Sequence, residues 1–225
     1  MIAIIYTLVT CHLLMAMNTL YIHRHHTHRA IQWNPFMVHF WRVIAWFDGI
    51  HTKEWVAQHR RHHMYTDVPG DPHSPNILGI WNIAVKGFFI NIWARYGSTP
   101  WNTAEELKVH GRGTPDDWLE KNVYTRFLRG GPLVLLLIDV LLFQWVGVAI
   151  WIIQMCWTPL LTTTVVTGLL HHKRRRNWPG ASMFLIGEEY HINHHTRAAN
   201  ARFGKYDLGY FYIWVSQKLG LCRIL

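Results

Sequence analysis

Pro132 to Leu170 reads PLVLLLIDVLLFQWVGVAIWIIQMCWTPLLTTTVVTGLL, 39 residues interrupted by a single charge, Asp139. As one helix this stretch would be about 60 Å long at a rise of about 1.5 Å per residue. A bilayer core is only about 30 Å thick. The stretch therefore predicts a hairpin of two membrane helices, over 132–147 and 149–170, turning near Gln144 to Gly147. Upstream, Ile2 to Ile22 also carries no Lys, Arg, Asp or Glu, enough for one further crossing over 2–22. A signal peptide is the competing reading, but a basic n-region and a small-residue cleavage site are missing. Phe36 to Ile50 is apolar but short, and it holds His39, Arg42 and Asp48. It reads as a buried or interfacial helix.

Charge orients these spans. All 22 Lys and Arg lie in 23–131 and 173–225. The positive-inside rule then places 23–131 and 171–225 in the cytosol. The expected architecture is all-α: one domain, 1–225, an integral, multi-pass membrane helical bundle with a cytosolic helical cap. Composition agrees, since half the residues are apolar and 16% are charged, against a usual quarter. Many of the 13 Trp sit near the ends of apolar runs, as interfacial residues do. A net charge of +9 suits anionic lipid or an anionic substrate. It does not indicate nucleic acid, because the basic residues flank spans rather than forming a binding motif. Cys11, Cys156 and Cys222 show no paired spacing, so neither a disulfide framework nor a thiolate metal site is implied. Residues 97–131 read as a polar connector. Within it Thr114-Pro115-Asp116-Asp117 predicts a helix start with Thr114 as N-cap, which makes both acids structural.

The histidines carry the chemistry. His59-Arg60-Arg61-His62-His63 and His191-Ile192-Asn193-His194-His195 share the pattern H-x-x-H-H, and His23-Arg24-His25-His26-Thr27-His28 directly follows the first apolar segment. Imidazole is a common ligand for iron, zinc, copper and nickel. On a helix, i, i+3 and i+4 share a face, so each triplet is expected to aim three ring nitrogens at one region. Two triplets and a third box exceed the needs of one ion, and two ions are the economical inference. His23 and His28 are five apart, on different sides of an ideal helix. They serve different ions, or the helix unwinds there. His12, His39, His51 and His110 lack such partners and read as core, interface or surface residues. His25, His26 and His172 read as surface neighbours of the candidate ligands.

These boxes resemble those of the membrane fatty-acyl desaturase family, especially the bacterial acyl-CoA Δ9 type, almost end to end. The resemblance rests on His23-x-x-x-x-His28-Arg29, Lys53 to His63, Asp71-Pro72-His73-Ser74-Pro75, Gly111 to Glu120 and Gly187-Glu188-Glu189-Tyr190-His191-x-x-His194-His195. It implies a His-rich dimetal site of two iron ions. The implied ligands are His23, His28, His59, His62, His63, His191, His194 and His195, with His171 as the ninth. Thr167 stands where relatives carry an Asn that contacts iron through water. The link from His171 to His191 is shorter than in bacterial relatives, and Lys173 to Arg176 replaces most of a W-G-Y-R-type stretch.

The implied reaction is an O2-dependent introduction of a cis double bond into a fatty acyl chain, carried as acyl-CoA or linked to lipid. Two electrons come from an external donor of ferredoxin, cytochrome b5 or reductase type. Asp67, Asp71 and Glu189 are candidate acceptors for ligand N–H groups, with helix capping as the alternative. Trp55, one turn before His59 on its face, lines an acyl tunnel or packs as an ordinary core residue. A related membrane hydroxylase or alkane oxygenase, and a metal-binding membrane protein without redox chemistry, remain the alternatives.

Overall fold

In the computed structural model, which describes residues 1–89 and 103–225, the first apolar stretch forms one helix of 26 residues, α1 (Ile2–Thr27). Its first half exposes Ile2, Ile5, Leu8 and Val9, whereas Leu14 to Ile22 are buried. From Met17 the winding loosens to bonds spanning five residues, and the His28 N–H donates to the His23 carbonyl at 3.1 Å. A short antiparallel ribbon follows. β1 (Ile31–Trp33) pairs with β2 (Cys222–Ile224), Ile31 opposite Ile224, and so ties the last residues of the chain beside the end of α1. Next comes α2 (Pro35–Phe47), where Pro35 occupies the first turn and the Asn34 side chain accepts from the Met37 N–H at 2.9 Å. α3 (Thr52–Met64) carries the second histidine box.

The 39-residue apolar stretch folds as two helices. α4 (Gly130–Phe143) and α5 (Trp145–Leu169) meet at Gln144, whose φ of 55° lies in the left-handed region. α1 and α5 are long and apolar enough to cross a membrane, with mean hydropathies of 1.6 and 1.5. α4 has 14 residues and spans about 21 Å, less than a bilayer core. α4 and α5 approach so closely that a Cβ at Gly147 would strike the Asp139 carbonyl. Polar groups join them to α1: Tyr6 donates to Asp139 at 2.7 Å and Gln154 to the Thr10 hydroxyl at 2.9 Å. α5 loosens to the wider winding from Leu160 onward, as α1 does. The C-terminal ends of α1 and α5 both arrive at one polar region, which also receives α3 and α6 (His191–Thr196).

Two arginines, Arg24 and Arg60, pin this region. Arg24, fully buried, donates to Asp207 at 2.9 Å and lies over the Phe203 ring at 4.1 Å. Asp207 also caps α7 (Leu208–Lys218) by accepting from the Tyr210 N–H. Arg60 spends its donors on four carbonyls, His26, Thr27, His110 and Arg112, at 2.5–3.0 Å. It thereby neutralises the carbonyl end of α1 and fastens the helical segment Ala104–His110 to it.

The expected helix start at Thr114 is corrected. The Thr114 hydroxyl donates back to the Gly111 carbonyl, and Asp117 is the cap, accepting from the Glu120 N–H at 2.9 Å. Arg42 explains the shift, since it grips both Asp117 oxygens at 2.7 and 2.8 Å and draws the turn toward α2. Residues 97–102 of the polar connector lie outside the described residues.

The close contact at Gly147 generates a stability prediction. Gly147→Ala is expected to force α4 and α5 apart and cost about 1–3 kcal/mol. It should lower the thermal unfolding midpoint in detergent, while Val148→Ala at an exposed neighbour leaves it unchanged. Equal midpoints for the two variants would contradict the packing described.

Candidate metal centre

Each H-x-x-H-H helix divides its rings between two places. With 100° per residue, i+4 lies 40° to one side of i and i+3 lies 60° to the other. In α3, His59 and His63 therefore turn one way and His62 the other. In α6, His191 and His195 turn one way and His194 the other. His23, His28, His59, His63 and His194 form one group. His62, His171 and His195 form a second, with His191 adjoining at 3.2 Å between its Nε2 and that of His195. The expectation that each triplet aims at one region is thus corrected to a two-plus-one division. The groups are adjacent, since the His63 and His195 rings stack with centroids 4.4 Å apart.

The looser winding at the end of α1 decides the first box. A bond spanning five residues brings i and i+5 toward a shared face. His23 and His28 accordingly pack ring to ring, at 4.8 Å, within the same group. The expected unwinding is present at this pair, and it sets both rings in one cluster. His171 reaches the second group because α5 ends just before it.

The ring nitrogens converge. Nε2 of His194 lies 3.0 Å from that of His23 and 2.9 Å from that of His63, which is 3.1 Å from that of His59. In the second group, Nε2 of His195 is 3.3, 3.1 and 3.2 Å from those of His62, His171 and His191. A neutral imidazole has one N–H and one lone pair. The Nδ1 atoms of His62 and His171 face carboxylates, Asp71 at 2.8 Å and Asp67 at 3.4 Å. Their Nε2 atoms are then bare lone pairs, and both point at His195. One hydrogen on His195 satisfies only one of its three neighbours. A cation between them removes the conflict, and nitrogens about 3.0 Å apart match the edge of an octahedron with metal–nitrogen bonds of about 2.1 Å. The nitrogens present therefore fit a pair of metal ions.

Electrostatics points the same way. Burial pushes His62 down to about 3 and His63 to about 2, with repulsion from neighbouring rings adding to it. The same causes drive His28, His59, His191, His194 and His195 well below the ordinary imidazole value. These rings are neutral ligands at pH 7. Burial works against the Glu188 carboxylate, but contacts from His23, Arg24 and the Thr19 hydroxyl hold its pKa below the usual range. Burial likewise opposes ionisation of Asp67, and hydrogen bonds from His171 and Ser74 outweigh it. Asp67, Asp71 and Glu188 around uncharged rings leave a deficit of positive charge that two divalent ions would supply.

Two of the three expected acceptors face candidate ligands. Asp71 takes the His62 Nδ1 and also accepts from the Asp67 and His73 N–H groups. Asp67 faces His171. Glu189 is a correction: its carboxylate accepts from the Ser182 hydroxyl and the Gly187 N–H. Glu188 has the inward position, 2.7 Å from His23 Nδ1, with the Thr19 hydroxyl on the same oxygen. Gly187, at φ 102°, makes the turn that aims Glu188 inward. Nothing in the sequence distinguishes the two adjacent acids. Thr167 is part-buried and hydrogen-bonds to none of the candidate ligands among the described residues. Trp55 stacks on His59, centroids 4.8 Å apart, and sets its face near His23. His26, expected at the surface, is buried, edge-on to Tyr21. His73 is absent from the expected ligand set, yet its ring is 4.3 Å from His62 and it gathers with His62 and Asp71. The Asp-x-His spacing of 71–73 was its only signal.

No protein-family model matches the chain. Curated proteins do. The Delta-9 desaturase-like 3 protein of Arabidopsis thaliana is 31% identical over 222 residues, covering 88% of this chain and 68% of the relative. The hex-5-enoyl-[acyl-carrier protein] acetylenase of Moorena producens is 27% identical over 232 residues, covering 89% and 69%. The acyl-CoA C20 Delta5-desaturase of Anemone leveillei is 28% identical over 225 residues, covering 90% and 67%. With the first of these at such identity across two thirds of its length, and with a histidine-lined centre at the ends of apolar helices, the chain belongs to the fatty acid desaturase family.

Proposed function

We propose that this protein is an O2-dependent desaturase that places a cis double bond in a fatty acyl chain, of the acyl-CoA Δ9 type found in bacteria. The observation that carries the reading is the pair of adjoining imidazole groups whose Nε2 atoms converge at 2.9–3.3 Å. His23, His28, His59, His63 and His194 would hold one iron, and His62, His171, His191 and His195 the other. A bound pair of ferrous ions would supply the reduction of dioxygen that hydrogen removal from an unactivated methylene requires. Two electrons come from an external donor of ferredoxin, cytochrome b5 or reductase type.

The residues of the chain hold and shape this centre. Glu188, Asp71 and Asp67 take Nδ1–H groups and so fix which nitrogen of His23, His62 and His171 faces inward. Trp55 covers His59 and lines the path of the acyl chain. For the carrier, a cleft of about 580 Å³ beside His28 is lined by Arg29, Arg112, His110 and the carbonyl-bonded Arg60, a positive surface that suits phosphate. The topology belongs to the same proposal: one domain, with spans over 2–22, 132–147 and 149–170, and with 23–131 and 171–225 in the cytosol. Support comes from α1 and α5, which run parallel and deliver His23, His28 and His171 to one end.

Expression in a desaturase-deficient host is expected to add monounsaturated fatty acid to the methyl-ester profile, and His63→Ala to abolish it. Hydroxylated chains without a new double bond would reject desaturation in favour of a hydroxylase. Purified protein that takes only zinc and changes no lipid, even with iron and reductant supplied, would favour a non-redox metal protein.

Glu188→Gln is expected to weaken metal binding about 10–100-fold, as loss of a ligand-orienting carboxylate does. Glu189→Gln should leave the affinity unchanged, and metal titration of both variants compares them. Equal losses would refute the inward placement of Glu188.

Acid sensitivity has a defined sign. Unfolded imidazoles take protons at about 6.5, whereas burial holds His62 neutral to about 3 and His63 to about 2, and drives His28, His59, His191, His194 and His195 down as well. The unfolded chain then binds more protons, so stability of the metal-free protein falls as pH drops from about 6.5 toward 3. Its unfolding midpoint should be lower at pH 5 than at pH 7.5. A midpoint independent of pH over that range would show the rings to be solvated.

A further inference from the structure

Outside the metal centre, a second open groove of about 580 Å³ lies between the helical turn Ser182–Leu185 and α7, lined in part by Met183, Arg202, Lys205, Phe211 and Trp214. Its apolar wall is unusually bare: Met183 is 66% exposed, Phe211 52% and Trp214 47%. Its rim is cationic. Lys205 lies over the Tyr206 ring with no carboxylate partner among the described residues. Among the described residues the Arg202 guanidinium donates only to backbone carbonyls, those of Gly204 and Lys205. The one acid in the lining, Asp207, is buried and already neutralised by Arg24. The groove therefore presents two uncompensated positive charges above an aromatic floor.

The floor leads to the membrane-type helix. His12 of α1 contacts both elements that bound the groove, with its Nε2 2.8 Å from the Tyr212 hydroxyl of α7 and its Nδ1 3.2 Å from the Met183 carbonyl. Ile5, Leu8 and Val9 lie seven, four and three residues before His12, on the same face of the helix. All three are more than half exposed. Exposed apolar side chains thus lie to both sides of His12, Phe211, Trp214 and Met183 on one and Val9, Leu8 and Ile5 of α1 on the other, with the groove's cations at one end only. Trp and Tyr favour the level where lipid headgroups meet acyl chains.

We infer that this groove is a binding site for an anionic phospholipid. Arg202 and Lys205 would hold its phosphate, and its acyl part would lie on Met183, Phe211 and Trp214 and continue along Ile5, Leu8 and Val9. Charge complementarity and continuity with α1 select this occupant. The site is separate from the histidine centre.

The test is native mass spectrometry of the detergent-purified full chain titrated with dioctanoyl-phosphatidylglycerol or dioctanoyl-phosphatidylcholine. The wild type is expected to bind the anionic lipid about tenfold more tightly, the scale of one to two basic contacts at a membrane surface. Arg202→Gln/Lys205→Gln, at two exposed positions, should bring the two lipids to within twofold of each other. Phe211→Ala/Trp214→Ala should weaken both lipids equally. Inorganic phosphate at tenfold excess should not displace the lipid. Equal affinity of the wild type for the two lipids, or a preference that survives loss of both cations, would overturn the inference. So would displacement by phosphate alone, which would show a site for the free anion. Metal content of the same samples keeps this outcome independent of the desaturase reading, since lipid preference does not require iron.

Discussion

The structure depends on holding nine imidazole rings close together, seven of them kept uncharged by burial and crowding. Burial disfavours protonation, and crowding disfavours it further, so lone pairs accumulate where hydrogens cannot be shared. His195 shows the constraint most plainly, with three ring nitrogens around one of its own. Much of the surrounding structure serves to hold this unfavourable gathering together. Arg24 and Asp207 fix the end of α1 against α7, Arg60 fastens the same end to the Ala104–His110 segment, and the carboxylates of Glu188, Asp71 and Asp67 set ring orientation.

Side-chain order within the centre follows from helix geometry as much as from the identity of the residues. α3 and α6 present the same pattern, yet α3 gives two rings to the first group and α6 two rings to the second. Wider winding at the ends of α1 and α5 adds His23, His28 and His171 to the two groups. The apolar halves of these helices are unremarkable as membrane-type segments. Their specialisation is confined to the last few turns, where the backbone leaves the α form.

Legibility in the sequence tracks the range of the interaction. The apolar hairpin around Gln144 and the two H-x-x-H-H boxes are readable because local periodicity determines them. The fate of His23 and His28 is not, because the five-residue spacing is productive only after the backbone loosens, and tertiary packing around Leu14 to Ile22 accompanies that change. Glu188 and Glu189 look equivalent on paper, and the turn at Gly187 separates them. Thr114 is an adequate local cap, but Arg42, distant in the chain, claims Asp117 and moves the helix start. His73 was obscured for a similar reason, since its neighbour is His62 across a turn rather than a residue in its own box.

The two-plus-one division of the paired helices has a consequence for assembly. Neither half of the centre can be completed by one helix and its nearest neighbour in sequence, because each half borrows a ring from the other helix, 131 to 133 residues away. Under the proposed two-ion reading, a first ion would draw both helices into place and so prepare the nest for a second. Loading is accordingly expected to be cooperative, and a half-filled chain to be a scarce species.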